Sequence, residues 1–296
     1  MPELPEVETI ARGLASRVRG DFIESVWLGS KPEPLKSPAA EIAATLQSRR
    51  IADVRRMGKH IVFELVDEGS APSIRRRRSG KGAGAKRKSV TAGVYVPQST
   101  AQWIVHLGMT GSMLVCKPDA EIAKHTHAVV KLASGRELRF VDPRRFGRLS
   151  VAHNFDVGGC EPLDVEFDRF ITLFHLRKTP IKSALLNQKL LRGVGNIYAD
   201  ESLFRAGIRP RRRAASLTRE NLRHLYKSVQ EVLKEAIALG GSSVSDYVDS
   251  DGQEGSFQLQ HRVYGREGER CLKCKTGIKR VVIAGRSSHY CPKCQK

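Results

Sequence analysis

Four of the six cysteines stand in two Cys-x-x-Cys pairs near the end of the chain. Sixteen residues separate the pair Cys271 and Cys274 from the pair Cys291 and Cys294. Two such turns converge four thiolates on one cation, which is the spacing of closed tetrahedral zinc sites. A zinc ion without an open coordination position would be structural, and a module this small should fold only with its metal. A tetrathiolate iron site has similar spacing and remains an alternative.

A strand-like run at 278–283 fills part of the gap between the two cysteine pairs. Because Ala-Gly-Arg286 follows it, we expect a β-hairpin whose turn carries Arg286. This arginine could simply be solvated. Cys116 and Cys160 stand apart from the pairs, and we predict that they are free thiols of a cytosolic protein.

The chain has a formal net charge of +20, with 51 Lys and Arg against 31 Asp and Glu. Such an excess is expected for a protein that binds a polyanion. Nucleic acid is the first candidate, an acidic membrane surface the second, and a merely solvated surface the third. No run of 18 apolar residues occurs, and the amino terminus lacks a basic-then-apolar signal pattern. We therefore expect a cytoplasmic protein, which in a bacterium would be found in the cytoplasm and nucleoid.

The first six residues, Met1-Pro-Glu-Leu-Pro-Glu6, would present a reactive amine after removal of Met1. A start methionine before proline is normally cleaved, which would leave the secondary amine of Pro2. A terminal amine titrates near about 8, so part of it is unprotonated at neutral pH and can form an iminium with an electrophilic carbon. Glu3 and Glu6 would supply a proton source and an orienting carboxylate. The same residues also suit an ordinary helix start, with Pro5 in the first turn.

Short β-prone runs dominate the sequence from Gly20 to about residue 151. Gly, Asp and Pro separate them, which predicts a mainly antiparallel sandwich or barrel. The expected strands are 22–28, 51–55, 61–66, 103–107, 113–116, 128–132 and 138–141. Apolar residues at helical spacing predict one helix after Pro5 and another at 39–47.

Helical periodicity replaces the β pattern after a polar linker at 152–162. The expected helices are 167–176, 182–190, 197–206 and 219–239. Gly193-Val-Gly195-Asn196 precedes the third of them, where free N–H groups and the positive helix end favour a phosphate. Any tight turn between helices would favour glycine there as well. The fold class is therefore α+β, with an antiparallel β-sandwich flanked by helices and then a helical domain that ends in a zinc-finger hairpin.

Residues 75–88 carry eight basic residues and no acidic one. Like-charge repulsion and the lack of apolar residues predict a disordered loop within 72–101. One hypothesis is a flexible arm that adds non-specific phosphate contacts. A nuclear-import signal is a weaker one.

Six separate motifs stand together in this chain. They are Met1-Pro-Glu-Leu-Pro-Glu-Val-Glu-Thr9, Gly58-Lys59, Leu107-Gly-Met-Thr-Gly111, Asp142-Pro-Arg-Arg-Phe-Gly147, Gly193-Val-Gly-Asn196 and the four cysteines. In content and order they resemble the formamidopyrimidine-DNA glycosylase family, bifunctional enzymes that excise oxidised purines. The resemblance covers essentially the whole chain except 72–101. It implies a catalytic β-sandwich domain at 1–151, a helix–two-turn–helix domain at 163–264 with a lesion-capping loop at 240–264, and a zinc finger at 265–296.

The resemblance further implies a DNA glycosylase with abasic-site lyase activity that acts on damaged double-stranded DNA as a monomer. The DNA would lie bent in a basic cleft between the two domains, with the lesion everted. Pro2 would attack the sugar C1′, Glu3 would protonate the opening deoxyribose, and Glu6 would orient the amine. Lys59 would assist proton transfer, and Arg286 would bind phosphate and assist the second elimination. One structural Zn²⁺ would be the only cofactor.

Other residues would contact DNA or fill the space left by the everted base. By resemblance the contacts are His125, Arg144, Lys178, Lys182, Asn196 and Tyr264, and the void-filling residues are Met109, Arg144 and Phe146. On the residues alone, Met109 also suits a core position and Lys59 also suits an exposed strand edge. Two other functions stay open, namely the relative that prefers oxidised pyrimidines and a non-catalytic nucleic-acid binder that retains Met1.

Overall fold

The computed structural model describes residues 1–67, 100–243, 248–250 and 252–296. The basic loop predicted at 72–101 lies outside these residues except for Thr100 and Ala101, and Ala101 already belongs to a strand. Parts of the predicted loop 240–264 lie outside them as well. Within the described ranges, no helix is long and apolar enough to cross a bilayer.

Two four-stranded antiparallel sheets form the N-terminal half. Their strands are β1 (Ile23–Leu28), β2 (Arg49–Met57), β3 (His60–Asp67), β4 (Ala101–His106), β5 (Ser112–Cys116), β6 (Thr126–Leu132), β7 (Glu137–Val141) and β8 (Arg148–Ala152). One sheet has the order β1-β6-β7-β5 and the other β2-β3-β4-β8. The predicted antiparallel sandwich is confirmed. Strand β8 was not predicted, and it extends to Ala152, the first residue of the expected linker.

A helix at the amino terminus, α1 (Leu4–Val18), packs against this sandwich. Val7, Ile10 and Leu14 are buried in one core with Phe63 and Trp103 of the sheets. Each such aliphatic side chain stabilises the fold by about 1.5–3 kcal/mol. Leu4, in the first turn of the same helix, is buried in the core of the C-terminal half instead. The amino terminus is therefore held at the boundary between the two cores. A second helix, α2 (Ala39–Leu46), covers β1 and β8.

Four helices form the core of the C-terminal half, α3 (Phe167–Phe174), α4 (Ile181–Leu185), α5 (Asn196–Arg205) and α6 (Arg219–Ala238). Helix α6 begins after Thr218, whose Oγ1 caps it by accepting from the backbone N–H of Asn221. Helix α4 stops at Leu185, so the prediction of a helix to residue 190 was wrong. The reason is Gln188, whose amide donates to Val194 O at 2.8 Å and accepts from Gly193 N–H at 2.8 Å, which fixes a turn instead.

The chain ends in the expected hairpin of β9 (Lys279–Ile283) and β10 (Arg286–Tyr290), paired antiparallel with Arg286 opposite Ile283. It packs beside the cysteine pairs, whose small core includes Val263, Ile278 and the buried Cys271.

Candidate functional site

The amino-terminal residues are buried against a turn that lies almost two hundred positions away in the sequence. Leu4 N–H donates to Gly193 O at 3.0 Å, and Pro2 and Glu3 are buried beside it. A side chain at Gly193 would place its Cβ 2.9 Å from Leu4 Cβ, and Gly193 also has a left-handed φ of 89°. Only glycine therefore lets this turn approach the amino terminus so closely.

The Glu3 carboxyl group lies at the N-terminal end of α5. Only 4 % of Glu3 is exposed, and its two oxygens accept from the backbone N–H groups of Ile197 at 3.1 Å and Tyr198 at 3.5 Å. Burial raises the pKa of Glu3, and these N–H groups together with Lys59 oppose that rise. The expectation that these N–H groups serve a phosphate was wrong, since the same positive helix end holds a carboxyl group of the protein itself.

The Glu6 carboxyl group joins three segments of the chain. One oxygen accepts from Glu3 N–H at 2.8 Å, and the other accepts from Ser242 N–H at 2.7 Å and from the Tyr198 hydroxyl. Burial, assisted by the charge of Glu3, raises the pKa of Glu6 to about 6. The sequence motifs did not reveal Tyr198 or Ser242. The glycine pair at 240–241, just after α6, was the one sequence feature that could have indicated this contact, because a Cβ at Gly241 would lie 2.9 Å from Glu6 Cγ.

Lys59 completes this acid cluster. It is 9 % exposed, which rules out the exposed strand-edge alternative. Burial lowers the pKa of Lys59, while Glu3 and Glu6 oppose the shift and Arg286 adds to it. Burial also lowers the pKa of the Met1 amine, again opposed by Glu3 and Glu6. Two carboxyl groups and a lysine with shifted pKa values thus share one buried site with Pro2, as nucleophilic and acid–base catalysis require.

Lys182 does not lie on the surface, where its expected DNA contact would need it. It is fully buried, and its ammonium group lies 2.6 Å from Asp200 Oδ1 and donates to Ser287 O at 2.7 Å. Asp200 also accepts from His289 N–H at 2.8 Å. The pair therefore fastens strand β10 to α5 and carries the exposed Arg286 beside the acid cluster. Lys178, by contrast, is exposed between α3 and α4.

The next residue of α5, Glu201, fixes the segment that contains Tyr264. Its buried carboxylate accepts from the backbone N–H groups of Arg262, Val263 and Tyr264 at 2.8–3.0 Å. Tyr264 lies near Asn196: burial raises the pKa of the Tyr264 hydroxyl group, and the neighbouring Asn196 side chain opposes that rise. The structure thus brings together two of the predicted DNA contacts through a residue that the motifs did not mark.

Three predicted void-filling residues lie exposed at neighbouring turns. Met109 is 40 % exposed and Phe146 is 48 % exposed, so Met109 is not a core residue. The Arg144 guanidinium carbon lies 4.9 Å from the centre of the Phe146 ring. The fully buried Asp142 joins the two turns, because it accepts from Thr110 Oγ at 2.6 Å and from Gly147 N–H at 2.7 Å.

The four cysteines converge as the sequence predicted. All four sulfur atoms lie within 4.8 Å of one another, with 3.9 Å between Cys271 and Cys294 and 3.4 Å between Cys274 and Cys291. Tetrahedral zinc with Zn–S bonds of about 2.3 Å places its sulfurs about 3.8 Å apart. The cluster therefore fits one zinc ion, held by four thiolates with no position left for substrate.

Sandwich, buried acid cluster and zinc hairpin are together the architecture of a DNA-repair glycosylase. Three family models match the chain, namely the formamidopyrimidine-DNA glycosylase N-terminal domain at 1–149, its H2TH domain at 159–248, and the zinc finger found in FPG and IleRS at 268–296. The curated formamidopyrimidine-DNA glycosylase of Solibacter usitatus is 42 % identical, with all of both chains covered. The chain therefore belongs to the formamidopyrimidine-DNA glycosylase family.

Solved structures agree with this assignment. The MutM (FPG) protein of Thermus thermophilus superposes with a TM-score of 0.79 at 40 % identity, over 99 % of this chain and 98 % of that one. Lactococcus lactis Fpg in complex with DNA containing an abasic site has a TM-score of 0.82 at 30 % identity, with 99 % of both chains covered. The same Lactococcus protein has also been solved with DNA that contains an oxidised pyrimidine.

Proposed function

We propose that the protein is a base-excision-repair DNA glycosylase with abasic-site lyase activity, and that it removes oxidised purines such as 8-oxoguanine and formamidopyrimidines. The observation that carries the proposal is the burial of Glu3, Glu6 and Lys59 around the amino terminus. Family membership and the complexes of relatives with damaged DNA support it.

In the proposed reaction the free amine of Pro2 attacks C1′ of the damaged nucleotide. The glycosidic bond breaks, and the base leaves with its electron pair and takes up a proton. Glu3 donates a proton to the ring oxygen O4′ as the sugar opens, which leaves an iminium between C1′ and the amine. The raised pKa of Glu3 supports this role, because a buried carboxyl group that holds its proton more tightly is better suited to act as an acid.

The iminium then acts as an electron sink. Loss of a proton from C2′ expels the 3′ phosphate in the β-elimination, and loss of a further proton expels the 5′ phosphate in the δ-elimination. Lys59 is proposed to assist these proton transfers, and Arg286 is proposed to bind a departing phosphate. Glu6 orients the amine through the N–H of Glu3. Zinc takes no part in these steps, since four thiolates would occupy all its positions.

Met109, Arg144 and Phe146 are proposed to enter the duplex at the lesion, because an everted base leaves unpaired and unstacked neighbours. Asn196, Tyr264, His125 and Lys178 are proposed phosphate contacts. For Lys182 we propose a positioning role instead, through β10. We also propose that the protein is a monomer, because one chain carries every proposed catalytic residue. Light scattering coupled to gel filtration tests this oligomeric state. The proposed location is the cytoplasm.

Borohydride trapping tests the reaction on a duplex with 8-oxoguanine opposite cytosine, beside a duplex with thymine glycol. An adduct that maps to Pro2 on the first duplex is the expected result. An adduct on thymine glycol alone would move the protein to the pyrimidine preference, which the Lactococcus complex with an oxidised pyrimidine makes a specific alternative. Intact mass of the same sample shows whether Met1 is retained, and tight binding without any adduct would favour a non-catalytic binder.

A further inference from the structure

A cavity of about 430 Å³ lies on the N-terminal half, outside the acid cluster. It opens between the end of β1, the turn before β6 and the turn that follows Asp142. We name it the Trp27 groove, and the residues that define it are Trp27, Lys31, His125, Pro143 and Arg145.

Trp27 is the most unusual residue of this groove. The chain has two tryptophans, and Trp103 is 1 % exposed whereas Trp27 is 53 % exposed. Trp27 lies on β1, at the edge of its sheet, and its ring lies along Gly29. Single apolar side chains exposed on a flat surface are common and need no function. A large aromatic side chain exposed inside a concave site is a better indication of a binding surface.

Lysine, arginine and histidine side chains line the same cavity as the indole. These residues, Lys31, Arg145 and His125, are all exposed. Arg145 pairs with Glu33 at 3.1 Å, but both side chains are about half exposed, so this ion pair is weak and leaves the guanidinium group available. An aromatic face beside positive charges is the combination that binds an unpaired nucleotide, since the ring stacks on the base and the cations hold the phosphate.

The backbone of the groove is held in an unusual conformation. His125 has a φ of 70° and Arg145 a φ of 57°, a left-handed region that costs free energy for residues other than glycine. Both are fixed by Asp142, whose N–H donates to His125 O at 3.0 Å and whose carbonyl oxygen accepts from Arg145 N–H at 3.3 Å. Strain that the surrounding structure maintains at two residues of one cavity is typical of a functional site.

We infer that the Trp27 groove binds an unpaired nucleotide of the DNA, with its base stacked on Trp27 and its phosphate against Lys31 and Arg145. The inference rests on the proposed function, because Arg145 stands between Arg144 and Phe146, the residues proposed to enter the duplex. DNA that contacts Arg144 and Phe146 would therefore lie next to the Trp27 groove. A single-stranded tail or a gap near the lesion would supply the nucleotide.

Tryptophan fluorescence tests this directly, because Trp27 is exposed and Trp103 is buried. Single-stranded oligothymidylate should quench the exposed emission, and a blunt, fully paired duplex with a stable abasic analogue should quench it clearly less, because its backbone passes His125 but it supplies no unpaired base to stack on Trp27. The variant Trp27→Phe keeps an aromatic ring and should lose the response, which assigns the signal to position 27. Unchanged emission with oligothymidylate at saturation would overturn the inference, as would equal quenching by the blunt duplex.

Binding of labelled oligothymidylate gives the second measurement. Trp27→Ala should weaken it roughly tenfold, which is the size of one lost base–aromatic contact, while Trp27→Phe should stay close to the unchanged protein. Equal affinities of the Ala and Phe variants would contradict stacking. Excision of 8-oxoguanine from the blunt duplex by the unchanged protein reports on the proposed function separately. Quenching without excision would therefore reject the proposed function but support nucleotide binding in the Trp27 groove. Excision without quenching would support the proposed function and reject nucleotide binding in the groove.

Discussion

Replacing Gly195 by alanine should displace the Glu3 carboxyl group without straining the backbone. Gly195 has φ −128° and ψ −160°, extended values that alanine adopts freely. A Cβ there would lie 2.2 Å from Glu3 Cδ and 2.4 and 2.6 Å from its oxygens. Carbon atoms do not approach so closely, so the carboxyl group must leave the N–H groups of Ile197 and Tyr198.

Two magnitudes follow from this displacement. Overpacking at a buried site costs typically about 1–3 kcal/mol of unfolding free energy. Loss of a positioned acid costs about 10²–10⁴-fold in rate, so Gly195→Ala should approach Glu3→Gln in single-turnover cleavage of an 8-oxoguanine duplex. Gly277→Ala is the matched control, since a Cβ there meets nothing within 4 Å and the residue lacks a positive φ.

The double variant separates this contact from other effects of the methyl group. Once Glu3 is alanine, the Cβ at position 195 no longer meets a carboxyl group, so Gly195→Ala should cost almost nothing in urea unfolding. Alanine restricts the unfolded chain, which favours folding by about 0.4–1 kcal/mol, but it is a poorer N-cap than glycine, and the two effects offset each other. The reasoning is refuted if Gly195→Ala cleaves at the normal rate, or if its cost is the same with and without the Glu3 side chain.

Three further outcomes are expected. Lys182→Met should lower the free energy of unfolding in urea by about 3–5 kcal/mol, because the Asp200 carboxylate stays buried without the Lys182 ammonium group. Adding Asp200→Asn should recover part of this lost stability, and no recovery would contradict the pairing of Lys182 with Asp200. Glu6 has a pKa of about 6 in the folded protein, against 4.5 for an unperturbed glutamate. The folded state therefore holds this proton more tightly than the unfolded chain does, which contributes about 2 kcal/mol to the free energy of unfolding below about pH 4.5. This contribution is lost as the pH rises through 6. Glu6→Gln should remove this pH dependence from urea titrations. Chelation should release one zinc per chain and unfold the terminal module, measured with a metal-sensitive dye and circular dichroism, and an iron absorption spectrum would contradict the assignment.

Local patterns predicted most of the fold. Short β-prone runs predicted seven of the eight sandwich strands, and cysteine spacing predicted the metal cluster, because both depend on short stretches of sequence. Strand β8 was missed although it has the same burial pattern as β5, which was predicted: each holds one fully buried residue, Leu149 and Met113 respectively. Lys182 and the turn at Gly195 were misread for a physical reason. Their partners, Asp200 and Glu3, are set by tertiary packing, and no spacing in one sequence shows which anion a buried lysine or a helix N-terminus will meet.

Helix α5 explains why the proposed catalytic groups come together. Its first N–H groups hold Glu3, Tyr198 holds Glu6, Asp200 holds the strand of Arg286, and Glu201 holds the backbone of Tyr264. These four contacts lie within five residues of one rigid element, whereas the groups they position come from both ends of the chain. A change in the orientation of α5 would therefore shift Glu3, Glu6 and Arg286, the proposed acid, orienting carboxylate and phosphate-binding residue, together. The precision of the site depends on the buried polar partners of this helix, which are its least visible feature in the sequence.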